Sequence, residues 1–394
     1  MRTEQHIEID FCQTKKNGEN ALGDVFLSHK DKEQSRIIAV LSDGLGSGIK
    51  ANVLATLTSS MALRFISNFK DIKKTAEIIM QTLPVCKTRK ISYSTFTILD
   101  IGYDGEVRIM EYDNPSALLI RSAIPAIVER KDIKLGFNRY KENIVKYSHF
   151  NCKLNDRIIF FTDGVSQSGI GTEQHPTGWG EEAVCAYAVE QIKADPEISA
   201  RDLAVKIVNK ANLNFSFKPQ DDISCAVVYF RRPRKTLIAT GPPFSKEKDR
   251  ELASAVKNFN GKKIICGGTT AHIIAREWNR TLNESAYESY DGLPPESELA
   301  GVDITAEGVI TLNKTAEILK EGTESRASKN NPAAKIADQL MNSDIIEFLV
   351  GSRISEVFQD PNISFELEIR RNLIKNIASI LEEKYLKETH IKFI

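Results

Sequence analysis

Apolar and polar residues alternate at Ile7, Ile9 and Phe11, which predicts a strand over 7–11. After the polar turn KKNGEN a second strand is expected through Asp24, Val25 and Phe26, and RIIAVLSD, residues 36–43, reads as a third, fully apolar one. Helical spacing then takes over: Val53, Leu54, Leu57, Met61, Leu63 and Phe65 predict a helix over 49–66, and 71–83 repeats the pattern. Further on come a hairpin turned at Tyr103-Asp104-Gly105, a strand in DRIIFFTDG, helices over 181–193 and 199–211, and a closing strand in DDISCAVVYFR. Strands outnumber helices and arrive in hairpins, the pattern of a β-sandwich clothed in helices.

The rhythm changes after the basic, proline-bearing RRPRK at 231–235, the expected domain boundary. TLIATG and KKIIC read as strands, 245–258 as a helix, and TAHIIAREWNR as a helix opening just after Gly267-Gly268; DIIEFLVGSRI is a strand and 366–387 a helix. Strand and helix in turn imply parallel pairing. The reading is therefore an α+β chain: a sandwich domain over 1–232, then an α/β domain over 233–394 with a regulatory or homodimer-forming role.

Composition narrows the function classes. A chain of 394 residues suits two domains, and 41% hydrophobic with 27% charged residues is ordinary for globular cores. Lys+Arg and Asp+Glu both number 53, so no net positive field favours nucleic acid or an anionic membrane. No apolar signal region opens the chain and no run of 18 apolar residues occurs, so a cytoplasmic location is expected. The six cysteines lack CxxC spacing and the six histidines are dispersed, which argues against a zinc site.

Candidate chemistry lies in acidic residues at strand ends: Asp24 in GDVF, Asp43 in SDGLGSG, Asp163 in FFTDG, and Asp221-Asp222 in PQDDIS. One Asp-Gly is ordinary turn punctuation. Several such carboxylates converging would suit hard divalent cations, with Asp43 bridging two ions and the unobstructed Gly44 carbonyl binding one of them. LGSGIKA then opens a helix whose free N–H groups favour a nearby anion.

In this order, GDVF, SDGLGSGIKANVLA, FFTDGVSQS and DDISCAVV resemble the PPM superfamily of metal-dependent serine/threonine phosphatases, in the bacterial branch typified by SpoIIE and RsbU. The resemblance spans about 7–230. It implies a PPM-type β-sandwich flanked by helices, two Mn²⁺ or Mg²⁺ ions, and Asp24, Asp43, Gly44, Asp163 and Asp221 as their ligands, with Asp221 rather than Asp222 in the ligand position. It further implies hydrolysis of phosphoserine or phosphothreonine by a metal-activated water, without a protein nucleophile. A phosphoprotein such as an anti-sigma antagonist or another small regulator is the implied substrate.

The chain also departs from that pattern. The N-terminal arginine that holds phosphate in eukaryotic members has only Arg2 as a counterpart, with Lys15 or Lys16 as substitutes, and YDNPSALL lacks the glycine-histidine pair of bacterial relatives. Trp179 in HPTGWG marks either a flap near the metals, as in relatives, or a loop anchored by a buried aromatic. In the second domain, Gly267-Gly268-Thr269-Thr270 follows a strand and opens a helix, which is either a ligand turn or simple turn chemistry. The acid- and proline-bearing segment from Tyr290 to Lys314 reads as a docking loop. The alternatives to an enzyme are a pseudophosphatase scaffold and a ligand sensor acting through the C-terminal domain.

Overall fold

The computed structural model describes residues 5–31, 34–68, 72–82, 94–134, 144–284, 293–294, 296–321, 331–352, 363–385 and 387–394. It divides into two compact units, Met1–Arg232 and Pro233–Ile394. Arg2, Cys86 and the opening of the Tyr290–Lys314 segment lie outside the described residues.

In the first unit β1 (His6–Thr14) is followed by β2 (Asp24–Asp31), β3 (Arg36–Gly44), α1 (Gly48–Asn68) and α2 (Ile72–Thr82). Next come β4 (Ser94–Gly102), β5 (Glu106–Tyr112), β6 (Leu118–Arg121), β7 (Ile124–Ala126), β8 (Lys131–Lys134) and β9 (Ile144–Asn151), which lead to β10 (Asp156–Phe161). Then α3 (Asp163–Ser166), α4 (Glu181–Ala194), α5 (Ala200–Asn214) and β11 (Ile223–Arg231) close it. The strands form antiparallel sheets of order β1-β11-β10-β6-β7 and β2-β3-β4-β5-β9-β8.

Side-chain alternation explains the layers. On β3, Ile37, Ala39 and Leu41 point into the core between the sheets, whereas Ile38 and Val40 meet Ala62 and Ile66 of α1. On β11, Ala226, Val228 and Phe230 enter that central core, whereas Ile223, Cys225 and Val227 pack against α4 and α5 through Val184, Leu203 and Ile207. Both strands read as unbroken apolar runs because each serves two cores. The unit is thus a helix-sheet-sheet-helix sandwich, and the hairpin between β4 and β5 turns at Gly105, whose φ is +92°.

The second unit runs β12 (Lys235–Thr240), α6 (Asp249–Asn258), β13 (Lys262–Cys266), α7 (Gly268–Trp278), β14 (Leu282–Glu284), β15 (Ser297–Leu299), β16 (Ile304–Ala306), α8 (Val309–Glu321), α9 (Pro332–Met341), β17 (Ile345–Val350), α10 (Ile363–Tyr385) and β18 (Glu388–Phe393). Its sheet has the order β14-β15-β16-β13-β12-β17-β18, parallel from β16 to β18. Helices α8, α9 and α10 cover one face and α6 and α7 the other. The segment expected as a docking loop instead carries β15, β16 and the start of α8, because Leu299, Ala306 and Leu312 are drawn into the two cores. The chain as a whole is α+β.

Candidate metal centre

Asp24 opens β2 and Asp43 is the penultimate residue of β3, and the antiparallel register sets them directly opposite one another. Asp163 is the first residue of α3, just after β10, and Asp221 precedes β11 by two residues. Both sheets therefore deliver acids to one end of the sandwich. Asp24 is only 2% exposed; its Oδ2 accepts hydrogen bonds from Thr162 Oγ1 at 2.8 Å and Ser224 Oγ at 2.6 Å. Ser224 also receives Gln13 Nε2 at 3.0 Å, and Asp163 Oδ2 receives Gln167 Nε2 at 3.0 Å.

Electrostatics tie the acids into one group. Burial lifts the Asp24 carboxyl to about 7 against the pull of Ser224 and Thr162, with Asp222 and Asp221 adding repulsion. Asp43 is held well above the usual carboxylate range by burial and then by Asp24, Asp163 and Asp221, and it lies in hydrogen-bonding reach of both Asp24 and Asp163. Asp163 is lifted to about 6 by burial and by Asp221. Asp221 is raised by burial too, while its neighbour Lys16 pulls it down. Lys15 is exposed.

Asp222 has a different task. Its Oδ1 accepts the Lys16 N–H at 2.9 Å and its Oδ2 the Gly23 N–H at 2.8 Å, so this buried carboxylate clasps the turn between β1 and β2. Gly44 allows a close approach: a Cβ there would stand 2.0 Å from the Ala51 carbonyl oxygen of α1. Trp179 is 8% exposed and packs edge-on against Tyr187 at 5.5 Å, anchoring its loop to the α4 layer. Thr162, Ser224 and Gln167 were not singled out from the sequence, although Thr162 belongs to the TDG motif, Gln167 stands three residues after it and Ser224 two after the DD pair.

Among the described residues, no three His, Cys, Asp or Glu side chains already form a group that could hold a metal ion. The four aspartates are neighbours without being gathered into a coordination shell. Their chemistry nonetheless fits a hard divalent cation: carboxylate oxygens, mutually repelling, with the positive charge of Lys16 acting on Asp221. Beside them opens a cleft of about 700 Å³ whose lining includes Asp43, Asp163, Glu111, Asn114 and Ser166.

In the second unit, Gly267 (φ +130°) caps α7 and its N–H is bound to the Ala306 carbonyl. A Cβ on Gly268 would stand 3.4 Å from Glu307 Oε1, so an acid of the chain itself already lies at this helix start; Thr269 is exposed and Thr270 is buried in the core. Cys152, Cys225 and Cys266 are buried, and burial raises each thiol above its ordinary value, that of Cys266 to about 12.

The family model described as Stage II sporulation protein E (SpoIIE) matches residues 33–231, half of the chain. The chain belongs to the SpoIIE family. Among solved structures, this family member is similar to the PP2C phosphatase domain with a regulatory-domain fragment of SpoIIE from Bacillus subtilis, at 18% identity and TM-score 0.48, covering 58% of this chain and 64% of that one. It is also similar to the RsbU and RsbW domains of a Mycobacterium tuberculosis protein, at 17% identity and TM-score 0.45 over 64% and 67% of the two chains. RsbX in complex with magnesium gives 17% identity and TM-score 0.40 over 57% and 96%. No curated protein matches the chain. Among the described residues no helix is long and apolar enough to cross a membrane.

Proposed function

We propose that this SpoIIE-family chain is a metal-dependent protein serine/threonine phosphatase, acting on a phosphoserine or phosphothreonine of a small regulatory protein such as an anti-sigma antagonist. The observation that carries this reading is the meeting of Asp24, Asp43, Asp163 and Asp221, from four separated motifs, with carboxyls lifted by shared burial and repulsion. These residues and the Gly44 carbonyl would hold two Mn²⁺ or Mg²⁺ ions. Bound there, the ions would supply an acidified water for attack on phosphorus and offset charge on the phosphoryl oxygens.

The chain's own residues set up that chemistry. Thr162 and Ser224 aim Asp24, Gln167 holds one oxygen of Asp163, and Lys16 adds positive charge on the Asp221 side. The Asp222 clasp fixes the turn carrying Lys16.

The alternative is a phosphatase fold serving as a binding scaffold. Assaying p-nitrophenyl phosphate and a phosphoserine protein with Mn²⁺, with Mg²⁺ or with chelator, beside Asp163→Ala, separates the two. Metal-dependent turnover lost in the variant supports the enzyme. Metal binding without turnover supports the scaffold. The second unit is assigned a regulatory or dimer-forming role, tested by comparing the oligomeric state and activity of the full chain with and without substitutions in that unit.

A further inference from the structure

The cleft beside the four aspartates extends past them onto the inner face of the six-stranded sheet. Glu111 of β5 lies directly opposite Lys146 of β9, which in turn lies opposite Asp132 of the edge strand β8, so three charged side chains form one row across its floor. Glu111 is 2% exposed and accepts the Ala117 N–H at 2.6 Å and Arg130 Nε at 3.2 Å, which commits it to the fold. Asp132 and Glu181 are exposed and line the cleft as well, one from β8 and one from the first turn of α4. Asp113, exposed in a left-handed conformation with φ +54°, adds a further acid at the rim. Against these acids Lys146 is the one cation among the described residues of the lining.

Charge balance gives this arrangement a meaning. Two divalent ions would neutralise Asp24, Asp43, Asp163 and Asp221, so the loaded centre would itself be neutral toward a phosphoryl group. The cleft walls beyond it would remain acidic. Leu45, Pro115 and Ile144 also line the cleft and are partly buried, an apolar surface suited to the methylene stem of a long cationic side chain.

Resting on the phosphatase reading, we infer that this cleft selects substrates in which Lys or Arg flanks the phosphorylated serine or threonine, with Asp132 and Glu181 as specificity-determining residues. Each partly exposed ion pair changes an equilibrium by a factor of about 1.5 to 5, and two or three together give about tenfold.

The experiment uses the full chain with Mn²⁺ and three substrates: p-nitrophenyl phosphate, which has no flanking residues, and two phosphothreonine peptides of equal length with either arginines or glutamates beside the phosphoresidue. The readout is the ratio of kcat/KM between the two peptides, which cancels any general loss of turnover or folded protein. The expected ratio is about tenfold in favour of arginine at low salt, shrinking toward unity at 0.5 M NaCl as screening shortens to about 4 Å. The double variant Asp132→Asn with Glu181→Gln should bring the low-salt ratio to about twofold, and Asp132→Lys with Glu181→Lys should reverse it. Turnover of p-nitrophenyl phosphate with equal use of both peptides, or a ratio indifferent to salt and to both double variants, overturns the specificity assignment alone. Absence of Mn²⁺-dependent turnover on all three substrates overturns it together with the phosphatase reading.

Discussion

A Cβ placed on Gly164 would stand 1.9 Å from the carbonyl oxygen of Asp222, so the start of α3 lies directly against the backbone that leads into β11. The neighbour is main chain and cannot swing aside as a side chain would. Gly164→Ala is therefore expected to cost about 1–3 kcal/mol and to move Asp163 away from Asp221, lowering metal affinity as well. Chemical denaturation and Mn²⁺ titration of the variant check both. Unchanged stability in the Gly164→Ala protein would refute the close approach.

Asp43 stands between Asp24 and Asp163. Asp43→Asn should reduce Mn²⁺-dependent turnover of p-nitrophenyl phosphate by more than about a hundredfold, beyond the effect usual for residues that only support a ligand. The same change removes a charge whose ionisation burial and three neighbouring acids oppose, so without metal the variant should melt higher than the parent at pH 8. A loss of activity accompanied by a lower melting temperature would point to structural damage instead.

The metal-free chain should be less stable at pH 8 than at pH 5. The Asp24 carboxyl titrates at about 7 in the folded chain against about 3.9 when unfolded. A folded value above the unfolded one means that stability is fully present below about 4 and is lost as pH rises through about 7. The loss is on the order of a few kcal/mol, and added Mn²⁺ should restore most of it. Urea denaturation in EDTA at both pH values, repeated for Asp24→Asn, tests this: the variant should show a smaller drop, and an equal drop would place the effect elsewhere.

Removing the Asp222 carboxylate strands two N–H groups, those of Lys16 and Gly23. Asp222→Ala should cost about 2–4 kcal/mol and speed hydrogen exchange over 15–23, with Mn²⁺ stoichiometry unchanged. Asp222→Asn keeps one acceptor oxygen and should lose less. Faster exchange in neither variant would show that the turn is held by other contacts.

Much of this was legible beforehand because the first domain's signals are local. Asp43 and Asp163 stand out where long apolar strands stop, and β3 announces itself because Ile37 to Leu41 feed two cores at once. What could not be read was what only tertiary register creates. Glu111, Lys146 and Asp132 form a row because β5, β9 and β8 pair in that order, a fact absent from any one segment. In the second unit, β14, β15 and β16 are three residues each, too short for periodicity to register. Helix α9 did carry a start signal in Asn331-Pro332, where the Asn331 side chain accepts the Ala333 and Ala334 N–H groups.

Thr162 and Ser224 reach from one sheet to a carboxylate of the other, and Ser224 lies 200 residues after Asp24. A ribosome making the chain therefore releases Asp24 long before the hydroxyl that will orient it, and about 10–40 s pass at ordinary synthesis rates. For most of that interval the nascent protein has only its first two aspartates; Thr162 and Asp163 follow 138 residues or more after Asp24, and Asp221 comes just ahead of Ser224. Chains cut short before β11 should consequently be inert, and the cell meets the assembled centre only after the strand that closes the sandwich has been made.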